Sequence, residues 1–193
     1  MGLILGTLLA IGDLYGGKII STIIRFYVEF FRGSPIIIQL FIFYFSPPIM
    51  FNIRLGSMLV GFIVFALNSA AYQKGYIKGA MESVYKDQTT AALSLGLSKA
   101  QAIMYIVLPQ AMRIMIPGWS NEFSSLGKST AAILMIGERD LTAIGRTIAF
   151  RTFRFLETYA FIGLIYLIFI SIVLKILDII YEKVKIPTIE TSA

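Results

Sequence analysis

The chain has neither cysteine nor histidine among its 193 residues. Without cysteine it forms neither a disulfide framework nor a thiolate metal site. Without histidine it lacks the side chain that most often serves as a general base or a metal ligand. A hydrolase or metalloenzyme would have to rely on carboxylates, hydroxyls and lysines alone. We therefore predict no catalytic residue, no metal site and no cofactor.

Charged residues are also scarce, at 15% of the chain, whereas 57% of the residues are hydrophobic and the mean hydropathy is +0.79. An ordinary soluble domain is about 45–50% apolar. The excess here lies in long stretches, which indicates a bilayer rather than a larger core. The net charge of +6 is spread between these stretches without a dense basic cluster. We therefore expect contact with anionic membrane lipid and no binding of nucleic acid.

Apolar segments separated by polar ones predict a single all-α membrane domain over residues 1–193. Crossing the hydrocarbon takes about 20 helical residues, so residues 1–12 are interpreted as the second half of a first span whose beginning is missing. A kink is expected at residues 33–35, and Pro47 with Pro48 is expected to end that segment in a loop. The further predicted spans are residues 19–46, 55–80, 112–137 and 159–181.

Two segments are too polar to cross the bilayer. Residues 82–110 carry a helix stop at Gly96 and a capping-box signal at Ser98 and Gln101. They predict a helix–glycine–helix unit on the cytoplasmic membrane surface. Residues 138–158 predict an interfacial helix on the extracytoplasmic side. The distribution of lysine and arginine favours this orientation only weakly.

Residues 112–137 return to the bilayer with polar interruptions, and broken helices at membrane depth either line cavities or lie buried in protein. Glu122 and Lys128 are ionisable and costly in lipid, so we expect a polar interior around them. Glu122 either binds the ammonium group or cationic side chain of a substrate, or pairs with a basic residue and holds the fold. The residues expected to form hydrogen bonds with a zwitterion, or between helices, are Asn121, Ser125, Ser69 and Tyr72.

Two further patterns were weighed. Gly127–Thr130 resembles the end of a phosphate-binding loop, but that loop needs a glycine five positions before Gly127, where Glu122 stands. The carboxylate would repel phosphate, so we predict no nucleotide binding. The second pattern places three charged side chains on one helical face and predicts a buried or interfacial ion network. Its members are Arg25, Glu29 and Arg32.

Several segments resemble one family. Gly96 to Pro109, preceded by Ala91 and Ala92, resembles the EAA loop of the ABC importer permeases of bacteria and archaea. The wider resemblance is to the polar amino acid branch, which imports histidine, glutamine, glutamate and arginine. It covers nearly the whole chain and is carried by YVEFFRGSPIIIQLFIFYF (27–45), NSAAY (68–72), LPQAMRIMIPGWSNEF (108–123) and RTFRFLETY (151–159).

The resemblance implies a type I ABC importer permease fold with about five membrane helices, in the plasma membrane of a bacterium or archaeon. In this family the EAA loop couples the permease to a separate ABC ATPase subunit, present in two copies, which hydrolyses the ATP. A second permease subunit completes a homo- or heterodimer, and an extracytoplasmic amino-acid-binding protein delivers the substrate. The expected function is translocation of polar or cationic amino acids by a non-catalytic subunit. The alternatives are an ion-coupled secondary transporter or channel subunit, and a membrane scaffold without transport.

The coupling surface implied by the resemblance surrounds the EAA loop. Thr90 stands where the family motif has its leading glutamate, so one charged contact with the ATPase is absent or supplied elsewhere. Gly75 and Ser129 also depart from the family pattern. The alternative for this segment is an amphipathic helix resting on lipid. The residues predicted to couple to the ATPase are Asp87, Thr90, Ala91, Ala92, Leu93, Leu95, Gly96, Leu97 and Pro109.

Arginines of the extracytoplasmic segment are the candidate contacts with the binding protein. They would meet acidic groups on its surface, or alternatively the headgroup phosphates of membrane lipid. These residues are Arg139, Arg146, Arg151 and Arg154.

Overall fold

The computed structural model describes residues 1–185, except for the side chains of Tyr85, Lys86 and Asp87. The predicted coupling role of the Asp87 side chain therefore lies outside the described residues. The described part is helical, without a strand, which confirms the all-α expectation. Its α-helices are α1 (Gly2–Tyr15), α2 (Gly17–Gly33), α3 (Ile36–Phe51), α4 (Ser57–Ser94), α5 (Lys99–Ala102), α6 (Leu108–Ile114), α7 (Ile116–Ser129), α8 (Leu141–Thr152) and α9 (Phe155–Val184), with a π-helical turn at Ile103–Val107 and a 3-10 helix at Thr130–Ile136.

Within residues 1–185, helix α9 alone is both long and apolar enough to cross a bilayer by itself, with a hydropathy of 2.6. Only 17% of its apolar window is buried inside the chain, so most of that surface faces outward. Helices α2 and α3 reach the same criterion together, but they are bent by 106°. The predicted spans at 55–80 and 112–137 do not meet it. The first belongs to a longer and more polar helix, and the second is divided by breaks.

The bend between α2 and α3 falls at the expected kink. Ser34 is extended, and Pro35 forms the N-cap of α3. The prediction that Pro47 and Pro48 end this segment is wrong, because α3 runs through both prolines to Phe51. Proline removes a backbone donor and bends a helix without always ending it. The helix ends instead where Asn52 adopts the left-handed conformation, with φ 54°.

Helix α4 joins two segments that were predicted to be separate. It runs for 38 residues from Ser57 to Ser94, a length of about 57 Å at 1.5 Å per residue. The first half of the predicted surface unit is therefore the end of this helix rather than a helix of its own, because Gly75 and Gly79 do not interrupt it. The local signals are confirmed: Gly96 has φ +85°, and Ser98 forms a capping box with Gln101.

Helix α4 is also the centre of the packing, since it contacts α1, α2, α3, α6 and α7. Helix α1 approaches it closely at Gly6, where an added Cβ would come within 2.5 Å of Gln73 Cβ and 3.1 Å of the Ala70 carbonyl oxygen. One core cluster joins α1, α4 and α6, and a second joins α3, α4 and the 3-10 helix. The main members of these clusters are Ala10, Ile77, Met81, Val107, Ala111, Leu40, Val60, Val64, Ile133 and Ile136.

An ion cluster that the sequence reasoning missed ties α1 and α2 to α4. The side chain of Asp13 is 4% exposed and accepts hydrogen bonds from Lys74 Nζ at 2.7 Å and Lys78 Nζ at 2.8 Å. Ser21 Oγ on α2 donates to the other carboxylate oxygen at 2.5 Å. No short-range pattern announces this cluster, because its acid and its lysines are about 60 residues apart in the chain.

The predicted interfacial segment 138–158 contains α8 and the first turn of α9. Asp140 caps α8 by accepting a hydrogen bond from the Ala143 N–H at 2.8 Å. Phe153, in the left-handed conformation, ends that helix. Leu156, expected on the interfacial helix, therefore belongs to α9. An acidic residue in the first turn, Glu157, suits a helix beginning there, because the N-terminal end of a helix favours negative charge.

Candidate functional site

A polar cavity of about 210 Å³ lies between the α2–α3 bend, α4 and α7. The bend supplies backbone and hydroxyl groups, α4 supplies an amide and a phenol, and α7 supplies a carboxyl and two hydroxyls. Polar groups converging on one cavity inside a helical bundle are typical of a ligand site. The lining residues are Ser34, Pro35, Ile36, Asn68, Tyr72, Glu122, Ser125, Leu126 and Ser129.

Glu122 is the ionisable residue of this cavity. Its side chain is buried on α7, with the residue 5% exposed. The Ser69 hydroxyl and the positive charge of Arg32 act on its carboxyl group. Among the described side chains it forms no ion pair, so the predicted pairing with a basic residue is not seen. A buried carboxyl without a contacting cation is expensive unless it serves a ligand or a partner.

The predicted pathway residues are only partly brought together. Tyr72 and Ser125 line the cavity with Glu122, and Ser69 lies beside the carboxyl group. Asn121 and Lys128 are exposed and do not line the cavity. Adjacent positions on a helix point about 100° apart, so Asn121 and Glu122 need not share an environment.

Two lining residues were missed by the sequence reasoning, Ser34 and Asn68. Asn68 donates hydrogen bonds from Nδ2 to the Phe31 carbonyl at 2.9 Å and to Gln39 Oε1 at 3.1 Å. Gln39 Nε2 in turn donates to the Phe31 carbonyl at 2.9 Å and to Ser34 Oγ at 2.9 Å. These bonds satisfy carbonyls at the end of α2 and hold the bend. Asn68 opens the NSAAY segment, which was the available signal.

The charged face of α2 does not form the predicted ion network. Arg25, Glu29 and Arg32 are exposed and form no ion pair among the described side chains. The guanidinium of Arg32 instead lies 4.9 Å from the centre of the Tyr72 ring. A guanidinium over a tyrosine ring is attracted by the negative face of the ring. Arg32 thus stands at the rim of the polar cavity.

The predicted coupling residues lie at the end of α4 and in the turn that follows. Leu93 and Leu95 are exposed, by 48% and 80%. Thr90, Ala91, Gly96 and Pro109 are also exposed, and Leu97 is half-buried. Ala92 is buried, so it is not accessible to a partner as predicted; its carbonyl accepts the N–H of Leu97 at 3.2 Å. The exposed Met104 and Tyr105, which were not predicted, follow on the second arm of the turn.

Three of the four predicted arginines surround one concave surface of about 490 Å³. Arg139, Arg146 and Arg151 line it, whereas Arg154 does not. Arg146 lies 5.7 Å from the centre of the Phe150 ring. The acid of this surface, Glu138, accepts a hydrogen bond from Ser57 Oγ at 2.5 Å. The surface is therefore rich in positive charge and suited to an anionic group.

Comparisons with known proteins agree with this architecture. Residues 2–185 match the family model described as the binding-protein-dependent transport system inner membrane component. The glutamine transport system permease protein GlnP of Escherichia coli (strain K12) is 33% identical over 186 residues, covering 96% of this chain and 85% of that protein. A putative GlnP of Rickettsia prowazekii (strain Madrid E) is 35% identical over 181 residues, covering 92% of this chain and 83% of that protein.

Solved structures give the same answer. An amino acid ABC transporter crystallised with histidines has a chain that superposes with a TM-score of 0.85 and 30% identity, covering 95% of this chain and 85% of that one. The MetNI methionine ABC transporter has a TM-score of 0.66 at 17% identity, covering 95% of this chain and 84% of that one, and supports the fold alone. The chain belongs to the family of binding-protein-dependent transport system inner membrane components. It is the membrane permease subunit of an ABC importer and has the type I permease fold.

Proposed function

We propose that this permease forms the translocation pathway for polar amino acids and that Glu122 receives their ammonium group. The observation that carries the proposal is a buried carboxyl, without an ion pair among the described side chains, in a polar cavity. The hydroxyls of Tyr72 and Ser125 line the same cavity and offer hydrogen bonds to the rest of the zwitterion. The relatives named for glutamine support the substrate class.

The partners follow from the family and from the surfaces. An ABC ATPase subunit, in two copies, contacts the exposed Leu93 and Leu95 at the end of α4. A second permease subunit, identical or different, covers part of the apolar outer surface. An extracytoplasmic amino-acid-binding protein places acidic groups on the surface formed by Arg139, Arg146 and Arg151. The chain crosses the plasma membrane of a bacterium or archaeon several times, with the α4–α5 turn in the cytoplasm.

Helix α4 provides the mechanical link between the site and the ATPase. It carries Tyr72 in the cavity and ends beside Leu95, about 35 Å away along the helix axis at 1.5 Å per residue. A rigid helix transmits a displacement of its tip to its other contacts. ATP binding would draw the two coupling surfaces together and open the cavity outward, and hydrolysis would reset it. This chain performs no covalent chemistry in that cycle.

The decisive experiment measures uptake of radiolabelled L-glutamine and L-arginine into proteoliposomes that contain the assembled permease and ATPase, with the binding protein outside. ATP is supplied inside, and ionophores collapse all ion gradients. We expect uptake to persist with ionophores and to stop without ATP. Loss of uptake on collapsing the gradients, with ATP retained, would instead indicate an ion-coupled transporter. Absence of uptake under every condition would leave a scaffold.

A further inference from the structure

The hydrogen-bond network at the α2–α3 bend has a defined polarity. Ser34 Oγ donates to the Phe30 carbonyl at 2.7 Å, so it accepts from Gln39 rather than donating to it. Gln39 Nε2 also faces the carbonyls of Phe31 and Ser34 at 2.9 and 3.0 Å. Since carbonyl oxygens only accept, the amide nitrogen of Gln39 must point toward the end of α2.

This polarity determines how the next amide is oriented. With its nitrogen turned to α2, Gln39 presents Oε1 to Asn68, which donates to it at 3.1 Å. The same Asn68 nitrogen donates to the Phe31 carbonyl at 2.9 Å, so both of its N–H groups are engaged. Within the described part of the chain, Asn68 Oδ1 accepts no hydrogen bond. Asn68 lines the polar cavity, so its oxygen is the polar atom left for that side.

We propose that Asn68 Oδ1 is a second acceptor for the substrate ammonium group beside Glu122, and that Gln39 is the positioning residue that turns this oxygen toward the cavity. The inference rests on the proposed function, because it deepens the assignment of the same cavity. An ammonium group has three N–H donors and no acceptor, so it is matched by a carboxylate together with a neutral amide oxygen. A flipped Asn68 amide would present donors that repel it.

The burial of the network gives Gln39 this role. Gln39 is 0% exposed and does not line the cavity, so it acts on the substrate only through Asn68. Without the Gln39 oxygen, one Asn68 N–H loses its partner inside the bend, and the amide gains by rotating toward any acceptor in the cavity. Unpaired buried donors are costly, and this cost drives the rotation.

The test measures equilibrium binding to the permease–ATPase complex in lipid nanodiscs, without the binding protein. The probes are radiolabelled L-glutamine and L-arginine, each with a competitor that lacks only the α-ammonium group, glutaramate and 5-guanidinovalerate. The readout is the preference for the amino acid over its competitor. Hydrogen bonds to charged groups contribute enough for removal of one to change affinity about tenfold or more.

We expect Asn68→Leu and Gln39→Leu each to lower this preference about tenfold, and the double variant to lower it no further than Asn68→Leu alone. The matched control is Gln73→Leu, which removes a buried glutamine of the same helix α4 that does not line the cavity. It is expected to keep the preference. Co-purification with the ATPase and basal ATP hydrolysis report assembly, and Asn68→Ser replaces the leucine variant if that one does not assemble.

The outcomes separate this inference from the proposed function. An unchanged preference in the Asn68 variants, together with a lowered preference in Glu122→Gln, would overturn the inference alone. Multiplying effects of Gln39→Leu and Asn68→Leu would overturn the positioning role of Gln39. An unchanged preference in Glu122→Gln, or no binding of either amino acid by the wild-type complex, would overturn the proposed site and the inference with it.

Discussion

Replacing Asp13 by asparagine is expected to lower the free energy of unfolding by about 3 kcal/mol, because it leaves two lysines without their counter-charge. The carboxylate is 4% exposed, Lys74 is 13% exposed and Lys78 is 31% exposed. Breaking a buried pair by removing one partner costs about 3–5 kcal/mol. The lower end applies here because Lys78 is partly solvated and lies 3.8 Å from Glu82.

The measurement is unfolding of the purified permease in mixed detergent micelles with increasing SDS. Trp119 is the single tryptophan of the chain and packs against the core cluster of α1, α4 and α6, so its fluorescence reports loss of that packing. The matched control is Glu182→Gln. It removes an acid that pairs with Lys185 at 2.6 Å on an exposed surface, and it is expected to leave the transition unchanged.

A transition for Asp13→Asn that lies within about 0.5 kcal/mol of the wild type, the range of an ordinary surface substitution, would refute the reasoning. It would mean that the lysines are solvated by water or lipid headgroups once α1 is released. A loss of similar size in Glu182→Gln would show that the assay responds to charge rather than to burial.

The other predictions concern packing, coupling and transport. Gly6→Ala is expected to cost about 1–3 kcal/mol in the same unfolding assay, because the new Cβ meets Gln73 and backbone of α4, whereas Gly79→Ala, with nothing within 4 Å, should be neutral. Gly96→Val places a β-branched residue at φ +85° and should weaken co-purification with the ATPase while membrane insertion persists; normal ATPase association would contradict the coupling assignment. Glu122→Gln should reduce uptake per assembled complex, and equal uptake by both forms would make Glu122 a bystander.

Local features were predictable because each depends on a few neighbouring residues. Gly96 has no Cβ to oppose a left-handed turn, and Ser98 reaches the N–H of Gln101 within one helical turn. The predicted break near residues 33–35 also depends on its own proline. Hydropathy alone separated the apolar α9 from the charged segment before it, although Phe153 placed the start of α9 earlier than expected.

The polar residues required the tertiary structure. Asn68 and Gln39 are 29 positions apart, and Asp13 and Lys78 are 65 apart, so only helix packing brings each pair together. The same packing buries Ala92 and leaves Asn121 and Lys128 outside the cavity, although all three were chosen by type and position. The amino-acid sequence by itself determined a helical membrane chain with a coupling turn and a carboxyl at membrane depth. Which polar groups meet at that carboxyl was decided by the tertiary structure, because side chains on different helices face each other only once the helix axes, rotations and bends are set.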